Sequence, residues 1–564
     1  MSIINTQPDK IPSRLILYRS SRLAELRQHN LKYAYFSPNF IYSEGQPFRA
    51  LQKRLLDLPK KGYINAVSCS LNSSELEDNL LMRSITKLSS IQHLSISLTP
   101  TPDSELQMRK ILKKILKTCP RIKAFSLMIF ASPTDASFSL KFLSFIKSVK
   151  NFTCAFWSPT ETYIENLTNN LVRTQNRCLN PTNSFYFIVN PESDPENERI
   201  IDWNLFANSL ERIHSAVKNS HFFLELYPPH NDMENFLNFA QRSLNLSSLE
   251  QLSMTFDFSE SFSRFLNFVK ESKSLQKLSL TLNSSLNSIE TAIPNLDLIM
   301  IELKSLSDLD LNLENFEDSQ YLPILFQKLV FSNPQLSSLS LSLQRTGGIA
   351  DSVLDDLTHL LDKFDKLRYF TLHADIYAPL SSQSTATTIK NFYQKLSSLK
   401  HLKELNLSFS NQKEAGPEEI LRVFCESLNS LKELRRLQLN MNSCSVTDES
   451  FIHLTNSLPN LDSLVFNFNG SSNHPISASV LKQFLAHLVD LKNLSWLELD
   501  MKVKGIDEKH AKEFITSFWG IKSLIYLSVY FETTSCSPAV QEHLEQQIQQ
   551  LGRRIYINTS IKSV

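Results

Sequence analysis

Residues 306–313 read Leu-Ser-Asp-Leu-Asp-Leu-Asn-Leu, and residues 336–343 read Leu-Ser-Ser-Leu-Ser-Leu-Ser-Leu. Each stretch has one apolar residue, two free positions, and then three apolar residues at alternate positions. Apolar residues at every second position predict a strand with one buried face. We call these four apolar positions the ladder.

The ladder recurs along most of the chain, at intervals that average about 31 residues, which lies within the range of solenoid repeats. Clear copies also begin at Leu275, Leu402, Leu434, Leu461, Leu494 and Leu524, and further copies at Ile64, Ile91, Ile122 and Leu249. Weaker copies centre on Phe152, Phe187, Leu224 and Leu372. The pattern predicts about sixteen repeat units over residues 61–535.

Each ladder is followed by polar turn residues and then by apolar residues at helical spacing. Phe451, Leu454 and Leu458 fall on one face of such a helix, and Asp448 is the expected residue to cap it. Asp351 and Asp507 have the same place before other helices. One strand–turn–helix unit cannot bury its apolar face alone, so we expect the units to stack with a parallel sheet inside and helices outside.

The repeated ladder resembles the leucine-rich-repeat family, specifically its long-unit, ribonuclease-inhibitor-like subclass. The resemblance implies an α/β solenoid shaped as a curved horseshoe, with an inner parallel sheet and outer helices. This sequence departs from the family in two features. The usual Asn after the strand is irregular, with Asn283 and Asn442 among the few candidates, and the usual glycine before the helix is mostly missing.

The ends of the chain lack the clear ladder. We interpret residues 1–60 as an amino-terminal cap and residues 536–564 as a carboxy-terminal cap, because an array exposes apolar edges at both ends. Leu31, Tyr33 and Tyr35 are expected in an atypical first strand, with a helix at 48–57, and Ile555 and Ile557 in a closing strand. The alternative for residues 1–60 is a short accessory module such as an F-box. In the middle, residues 176–200 are rich in Asn, Pro, Ser and Glu, which favours a loop insertion.

Composition excludes several classes of protein. The 58 Lys and Arg residues balance the 57 Asp and Glu residues, so there is no global attraction to nucleic acid or to an anionic membrane. No run approaches the roughly 20 apolar residues of a membrane span, and the first residues lack a secretory signal. Seven cysteines contain no Cys-x-x-Cys pair, and Cys69 and Cys154 fall at ladder positions. This usage predicts reduced thiols and a cytoplasmic protein.

Motifs for catalysis are missing from the sequence. It has no phosphate-binding Gly-x-x-x-x-Gly-Lys loop, no Gly-x-Ser-x-Gly elbow and no His-Glu-x-x-His zinc helix. Only 9 of the 564 residues are glycine, and glycine is what lets a backbone wrap closely around phosphate. We therefore expect a protein that is not an enzyme and has no cofactor and no metal site.

Side chains between the ladder positions should point to the concave sheet surface. Most of them are Ser, Thr or Asn, but larger and charged residues cluster in the carboxy-terminal units. These predicted partner-binding residues are Arg368, Tyr369, His373, Arg435, Arg436, Trp496, Glu498, Tyr526 and Tyr530. Aromatic and Arg residues carry most of the binding energy in protein interfaces.

Trp496 and Tyr526 hold matching positions in neighbouring units, so we expect their rings about 5 Å apart, one strand spacing. A partner side chain would then pack across both rings. A smaller aromatic pair, Tyr186 and Phe223, is the second candidate site. The sequence thus predicts a non-enzymatic scaffold that binds a protein partner. The alternatives are a ubiquitin-ligase substrate adaptor and a regulator of a small GTPase.

Overall fold

The computed structural model describes a series of strand and helix segments along the chain. They are residues 33–36, 66–72, 93–99, 122–130, 151–157, 182–189, 202–216, 220–226, 233–244, 249–257, 274–283, 305–313, 335–343, 351–375, 383–410, 418–441, 446–468, 475–524, 526–533, 537–540 and 556–563, with a few single positions between them. The chain forms two compact units. The first comprises Met1–Thr255 with Glu271–Leu275, and the second comprises Phe256–Lys270 with Gln276–Val564.

The first unit contains a parallel sheet with described helices after two of its strands. Its strands are β1 (Tyr33–Phe36), β2 (Ala66–Asn72), β3 (His93–Thr99), β4 (Ala124–Phe130), β5 (Asn151–Trp157), β6 (Thr182–Val189), β7 (Ser220–Leu226) and β8 (Leu249–Asp257), the last of which ends in the second unit. Helix α1 (Trp203–Ala216) follows β6, and α2 (Met233–Leu244) follows β7. Each strand pairs in parallel with the next one in sequence.

The second unit repeats the same alternation. Its strands are β9 (Lys277–Asn283), β10 (Asp308–Asn312), β11 (Ser338–Leu343), β12 (Tyr369–Asp375), β13 (Glu404–Ser410), β14 (Arg436–Asn440), β15 (Ser463–Asn467), β16 (Ile476–Ser477), β17 (Trp496–Lys504), β18 (Tyr526–Thr533) and β19 (Tyr556–Ser563). Its described helices are α3 (Asp351–Leu361), α4 (Gln383–Leu396), α5 (Glu418–Ser430), α6 (Asp448–Asn456), α7 (Ala478–Asp490) and α8 (Glu508–Gly520). The predicted α/β class, parallel strands alternating with helices, is confirmed.

Register between the strands keeps each ladder position beside its equivalents. Leu309 of β10 lies opposite Leu278 of β9 and Leu339 of β11. All four ladder residues of 306–313 are buried, and so are those of 336–343. The residues between them are mostly half-buried, with a burial pattern in β11 that alternates strictly. The predicted strand phase is confirmed, and the stacked leucines form one continuous apolar core in this unit.

In the second unit, the backbone carbonyl of the residue just before a strand links one repeat to the next, from β9 to β15 and at β17. Ser307 O accepts hydrogen bonds from the N–H groups of Ser337 at 2.8 Å and Ser338 at 3.0 Å. Ser337 O in turn accepts from Arg368 N at 2.8 Å and Tyr369 N at 3.0 Å. The Ser337 hydroxyl adds a third donor to Ser307 O at 3.3 Å. One carbonyl therefore satisfies two or three donors, and serine at this position strengthens the contact between units.

The helices lie on the ladder side of the sheet. Phe451 of α6 packs against Phe466 of β15 and against Phe468 just after it, with ring centroids 6.3 and 5.9 Å apart, and against Phe484 of α7 at 5.1 Å. Asp507 caps α8 as predicted, since its carboxylate accepts the His510 N–H at 2.8 Å. Packing of aromatic side chains between helix and strand thus holds α6 on the sheet.

Two sequence expectations are corrected. The stretch 176–200 contains strand β6, so the weak ladder copy predicted around Phe187 is confirmed and the central residues of the stretch are not a loop insertion; Phe185 and Phe187 are buried, and their packing outweighs the polar flanks. Helix α6 is capped by Thr447, whose hydroxyl accepts the Ser450 N–H at 3.2 Å. Asp448 instead accepts the backbone N–H of Ser477 at 2.9 Å, and so links two turns.

Several further expectations concern the chain ends. Strand β1 includes Tyr33 and Tyr35 of the predicted first strand, and β19 includes Ile557 of the predicted closing strand, which pairs with Leu527. The predicted helix at 48–57 lies outside the described residues. None of the described helices has the length and apolar character that crossing a bilayer requires.

Replacing a ladder residue should destabilise the protein far more than replacing its neighbour. Leu309 is 1% exposed, so Leu309→Ala should lower the free energy of unfolding by roughly 2–5 kcal/mol. Asp310 is half-buried on the opposite face, so Asp310→Ala should change it by about 0.5 kcal/mol or less. Urea denaturation of both variants measures this difference. Equal losses would mean that the ladder does not carry the core.

Candidate functional site

The face of the second unit's sheet that points away from the helices carries the predicted site residues. Because Phe466 and Phe468 contact α6, the alternating residues Ser463 and Val465 must point to the opposite side. We call that side the open face. Its side chains form three rows across β12, β13, β14, β15, β17 and β18. The first row is Tyr369, Glu404, Arg436, Ser463, Trp496 and Tyr526; the second is Thr371, Asn406, Gln438, Val465, Glu498 and Ser528; the third is His373, Ser408, Asn440, Asn467, Asp500 and Tyr530.

One group on the open face, the arginine cluster, comprises Tyr369, His373, Glu404 and Arg436. Arg436 Nη1 lies 2.7 Å from Glu404 Oε2, with side chains 17% and 30% exposed. The two charges form an ion pair, although Nη1 makes no well-aligned hydrogen bond. His373 Nε2 lies 3.2 Å from the amide nitrogen of Asn406. The two charges of this cluster are therefore matched within the chain.

A second group, the tryptophan cluster, comprises Trp496, Glu498, Tyr526 and Tyr530. The Trp496 and Tyr526 rings stack on each other, with centroids 3.8 Å apart and an interplanar angle of 13°. The Trp496 indole N–H donates to Glu498 Oε1 at 2.8 Å. Tyr530 follows Tyr526 on the same face, opposite Asp500 of β17. Stacking and hydrogen bonding hold the indole, the phenol ring of Tyr526 and the carboxylate in fixed positions.

The two clusters are separated by β15, whose open-face side chains are Ser463, Val465 and Asn467. From Tyr369 to Tyr526 the first row crosses five strand spacings, a distance of about 24 Å. This span is long enough for a partner segment to contact both clusters. The predicted residues therefore share one face but do not form one continuous patch.

Arg368 and Arg435 lie one residue before the first row, and both are exposed. Arg435 Nη1 donates to the carbonyl oxygen of Asn460 at 3.1 Å. Both residues also take part in the backbone links between units. They mark the edge of the open face rather than its floor.

The expected spacing of the Trp496 and Tyr526 rings was too large. The rings lie 3.8 Å apart instead of the strand spacing of about 5 Å, because the two side chains lean together and stack. Stacking uses one face of each ring, so only the outer face of each ring is left for another contact.

Burial changes the acidity of two carboxyl groups on the open face. It raises the pKa of Glu404 above the ordinary glutamate value, and the charge of Arg436 opposes that rise. It also raises the pKa of Glu498, and there the indole hydrogen bond is the opposing effect. The negative charge of Glu404 is thus offset by the positive charge of Arg436, whereas the partner of Glu498 among the described residues is the neutral indole of Trp496.

Glu404 was missed by the sequence prediction, although it lies beside Arg436 in the first row. The available signal was the ladder register, which places these two residues in matching positions of neighbouring units. Reading charges across units as well as along the chain identifies the pair. Arg436 is consequently a less available anchor than its sequence context indicated.

Two other features of the described residues, a groove and a buried thiol, are weaker candidates for a functional site. Around α3 and α4, the side chains of Asp355, His359, Asp362 and Lys395 line an open groove of about 430 Å³. Lys395 forms an ion pair with Asp362 within this groove. Burial raises the pKa of the Cys425 thiol to about 12, which keeps it protonated.

No described group of three His, Cys, Asp or Glu residues has the arrangement needed to hold a metal ion. The second candidate pair lies in the first unit, where Tyr186 and Phe223 are register partners on β6 and β7. Phe223 is half-buried, whereas the side chain of Tyr186 lies outside the described residues.

No protein-family model matches this sequence, and a comparison with curated proteins gave no match.

Neutralising Glu498 should stabilise the protein at pH 7, because burial in the folded state disfavours its charged form. An acid with a raised folded pKa loses its proton first in the unfolded chain, so stability falls as pH rises from the unfolded toward the folded pKa. Glu498→Gln removes this loss and keeps an acceptor for the indole, so its melting temperature should exceed that of the wild type at pH 7. The difference should fade below about pH 4, where glutamate is protonated in both states.

Glu404→Gln is the comparison variant, because the pKa of Glu404 is also raised but the charge of Arg436 opposes the rise. Neutralising Glu404 removes the partner of Arg436 as well as the cost of burying its own charge, so it should raise the melting temperature at pH 7 less than Glu498→Gln does. Thermal melts of the three proteins between pH 4 and pH 8 compare them. A Glu498→Gln protein that is less stable than the wild type at pH 7 would show that Glu498 already has a cationic partner.

Proposed function

We propose that this protein is a non-enzymatic scaffold of the leucine-rich-repeat type, which binds a protein partner through the open face of its carboxy-terminal units. The single observation that carries the proposal is the tryptophan cluster. A stacked Trp–Tyr pair and a half-buried carboxylate lie on a face whose remaining side chains are mostly small and polar. Large aromatic residues of this kind are the anchors of protein interfaces.

The separation of folding and binding residues supports the proposal. Leu497 and Leu499 are 0% and 2% exposed, and they belong to the core. The core does not enclose the side chains of Trp496, Glu498 and Tyr526, which are only half-buried. These side chains can therefore contact a partner. Evolution of the open-face residues toward a partner would leave the stacked ladder intact.

The family and the compartment are part of the same proposal. The ladder period and the strand–helix alternation favour the long-unit, ribonuclease-inhibitor-like subclass, and the cysteine usage favours a reducing compartment such as the cytoplasm. The absence of catalytic motifs from the sequence favours binding over catalysis. We expect neither nucleic acid nor a cofactor as the ligand.

The test is affinity purification followed by calorimetry with the purified partner, using the intact chain and a Trp496→Ala plus Tyr526→Ala variant. Each aromatic anchor contributes on the order of 2 kcal/mol or more, so the double variant should bind at least about 100-fold more weakly. Trp519→Ala is the matched control, because it removes an exposed indole from α8. It should leave the affinity unchanged.

A folded double variant that binds with the affinity of the intact chain would contradict the proposed surface. In that case Tyr186 and Phe223 are the next residues to test. Circular dichroism of the variant establishes that loss of binding does not result from unfolding.

A further inference from the structure

We propose that the tryptophan cluster is a receptor for an arginine side chain of the partner protein, whose guanidinium stacks on the Trp496 indole and pairs with Glu498. This inference rests on the proposed function and specifies the chemistry of the partner. It follows from the charges, the space and the ring geometry around Glu498.

The charges around Glu498 are unbalanced. Its neighbours in the second row are Val465 and Ser528, and Trp496 and Asp500 lie two residues away on the same strand face. None of these four side chains is cationic. The nearest lysine on β17, Lys502, is four residues away, which is about 13 Å along a strand. A positively charged partner group therefore complements this part of the face.

The space for such a group lies over β15. One face of the Trp496 ring is covered by Tyr526, but its other neighbour in the first row is Ser463, which has a small side chain. Beyond Ser463 the next residue is Arg436, about two strand spacings or 10 Å from Trp496. Arg436 is paired with Glu404, on the side away from Trp496. The gap has a floor of Ser463 and Val465.

The ring geometry favours arginine over lysine. The indole N–H lies 2.8 Å from Glu498 Oε1, so the carboxylate is next to the edge of the ring. A guanidinium that stacks flat on the indole keeps its N–H donors in its own plane, parallel to the ring, and those at its edge can reach the neighbouring carboxylate. An ammonium group also contacts an aromatic face, but it cannot stack and present two coplanar donors together.

The chain itself contains a glutamate paired with a guanidinium, three strands away on the open face. Glu404 is another half-buried glutamate of the open face, and it has a guanidinium partner in Arg436. Glu498 shares the burial but has no cation among the described residues; its described partner is the Trp496 indole. The raised pKa of Glu498 is consistent with a carboxylate that a positive charge would stabilise.

The test measures the tryptophan indole signals of the full-length, isotope-labelled protein by ¹H–¹⁵N NMR. The chain has 4 tryptophans, and Trp496→Phe identifies the signal of Trp496. The probes are acetyl-Gly-Gly-Arg-Gly-Gly-amide and the same peptide with citrulline, which has nearly the same shape without the charge. We expect the arginine peptide to shift the Trp496 signal to saturation at low ionic strength and the citrulline peptide to leave it unshifted.

Two variants test the role of Glu498. Glu498→Gln should weaken binding of the arginine peptide about ten-fold or more, because it removes the charge and keeps the acceptor. Asp310→Asn is the matched control, since Asp310 holds the equivalent second-row position on β10, and it should leave binding unchanged. Equal shifts from both peptides, equal affinity for a lysine peptide, no shift at all, or full binding by Glu498→Gln would each overturn the arginine site.

Failure of this inference can be told apart from failure of the proposed function. If the partner docks on the open face without an arginine, the Trp496→Ala plus Tyr526→Ala variant loses the purified partner while Glu498→Gln retains it. If the open face is not the docking surface, both variants retain the partner.

Discussion

Alternation of side chains along a parallel strand is the constraint on which the second unit depends. Each strand directs one residue set toward the helices and the other away from them. Backbone links hold successive strands in register, with one carbonyl such as Ser307 O accepting N–H groups from the next unit at 2.8 and 3.0 Å. A one-residue slip would turn every ladder leucine to the open face. The same register that builds the core therefore also lines up Tyr369, Arg436 and Trp496.

The sequence predicted most of the fold because the spacing of the ladder residues matches the two-residue alternation of side chains along a strand. Leu309 and Leu339 were correctly placed in the core, and the strand phase followed from them. The segment around Phe187 was harder, because the polar residues of 176–200 mask a strand whose aromatic side chains are buried. Thr447 rather than Asp448 caps α6 because Asp448 binds a backbone N–H 29 residues later. A contact between residues so far apart in sequence cannot be predicted from the residues around the helix start.

The candidate site was predicted less completely than the fold. Positions on the open face could be derived from the ladder, but the direction in which each side chain leans could not. Trp496 and Tyr526 stack at 3.8 Å, and Arg436 pairs with Glu404 at 2.7 Å. Both contacts depend on rotamers that bring residues of neighbouring units together. They divide one predicted patch into a cluster whose charges are matched and a cluster whose carboxylate, Glu498, has no cationic partner in the described part of the chain.

The central claim is that each strand serves folding with one set of residues and leaves the other set for binding. An alanine scan of β17 from 496 to 503, read by urea denaturation, tests it most directly. We expect losses of roughly 2–5 kcal/mol at the buried Leu497, Leu499, Met501 and Val503, and about 1 kcal/mol or less at the residues between them, including the stacked Trp496. Losses without a two-residue period, or with the opposite phase, would contradict it.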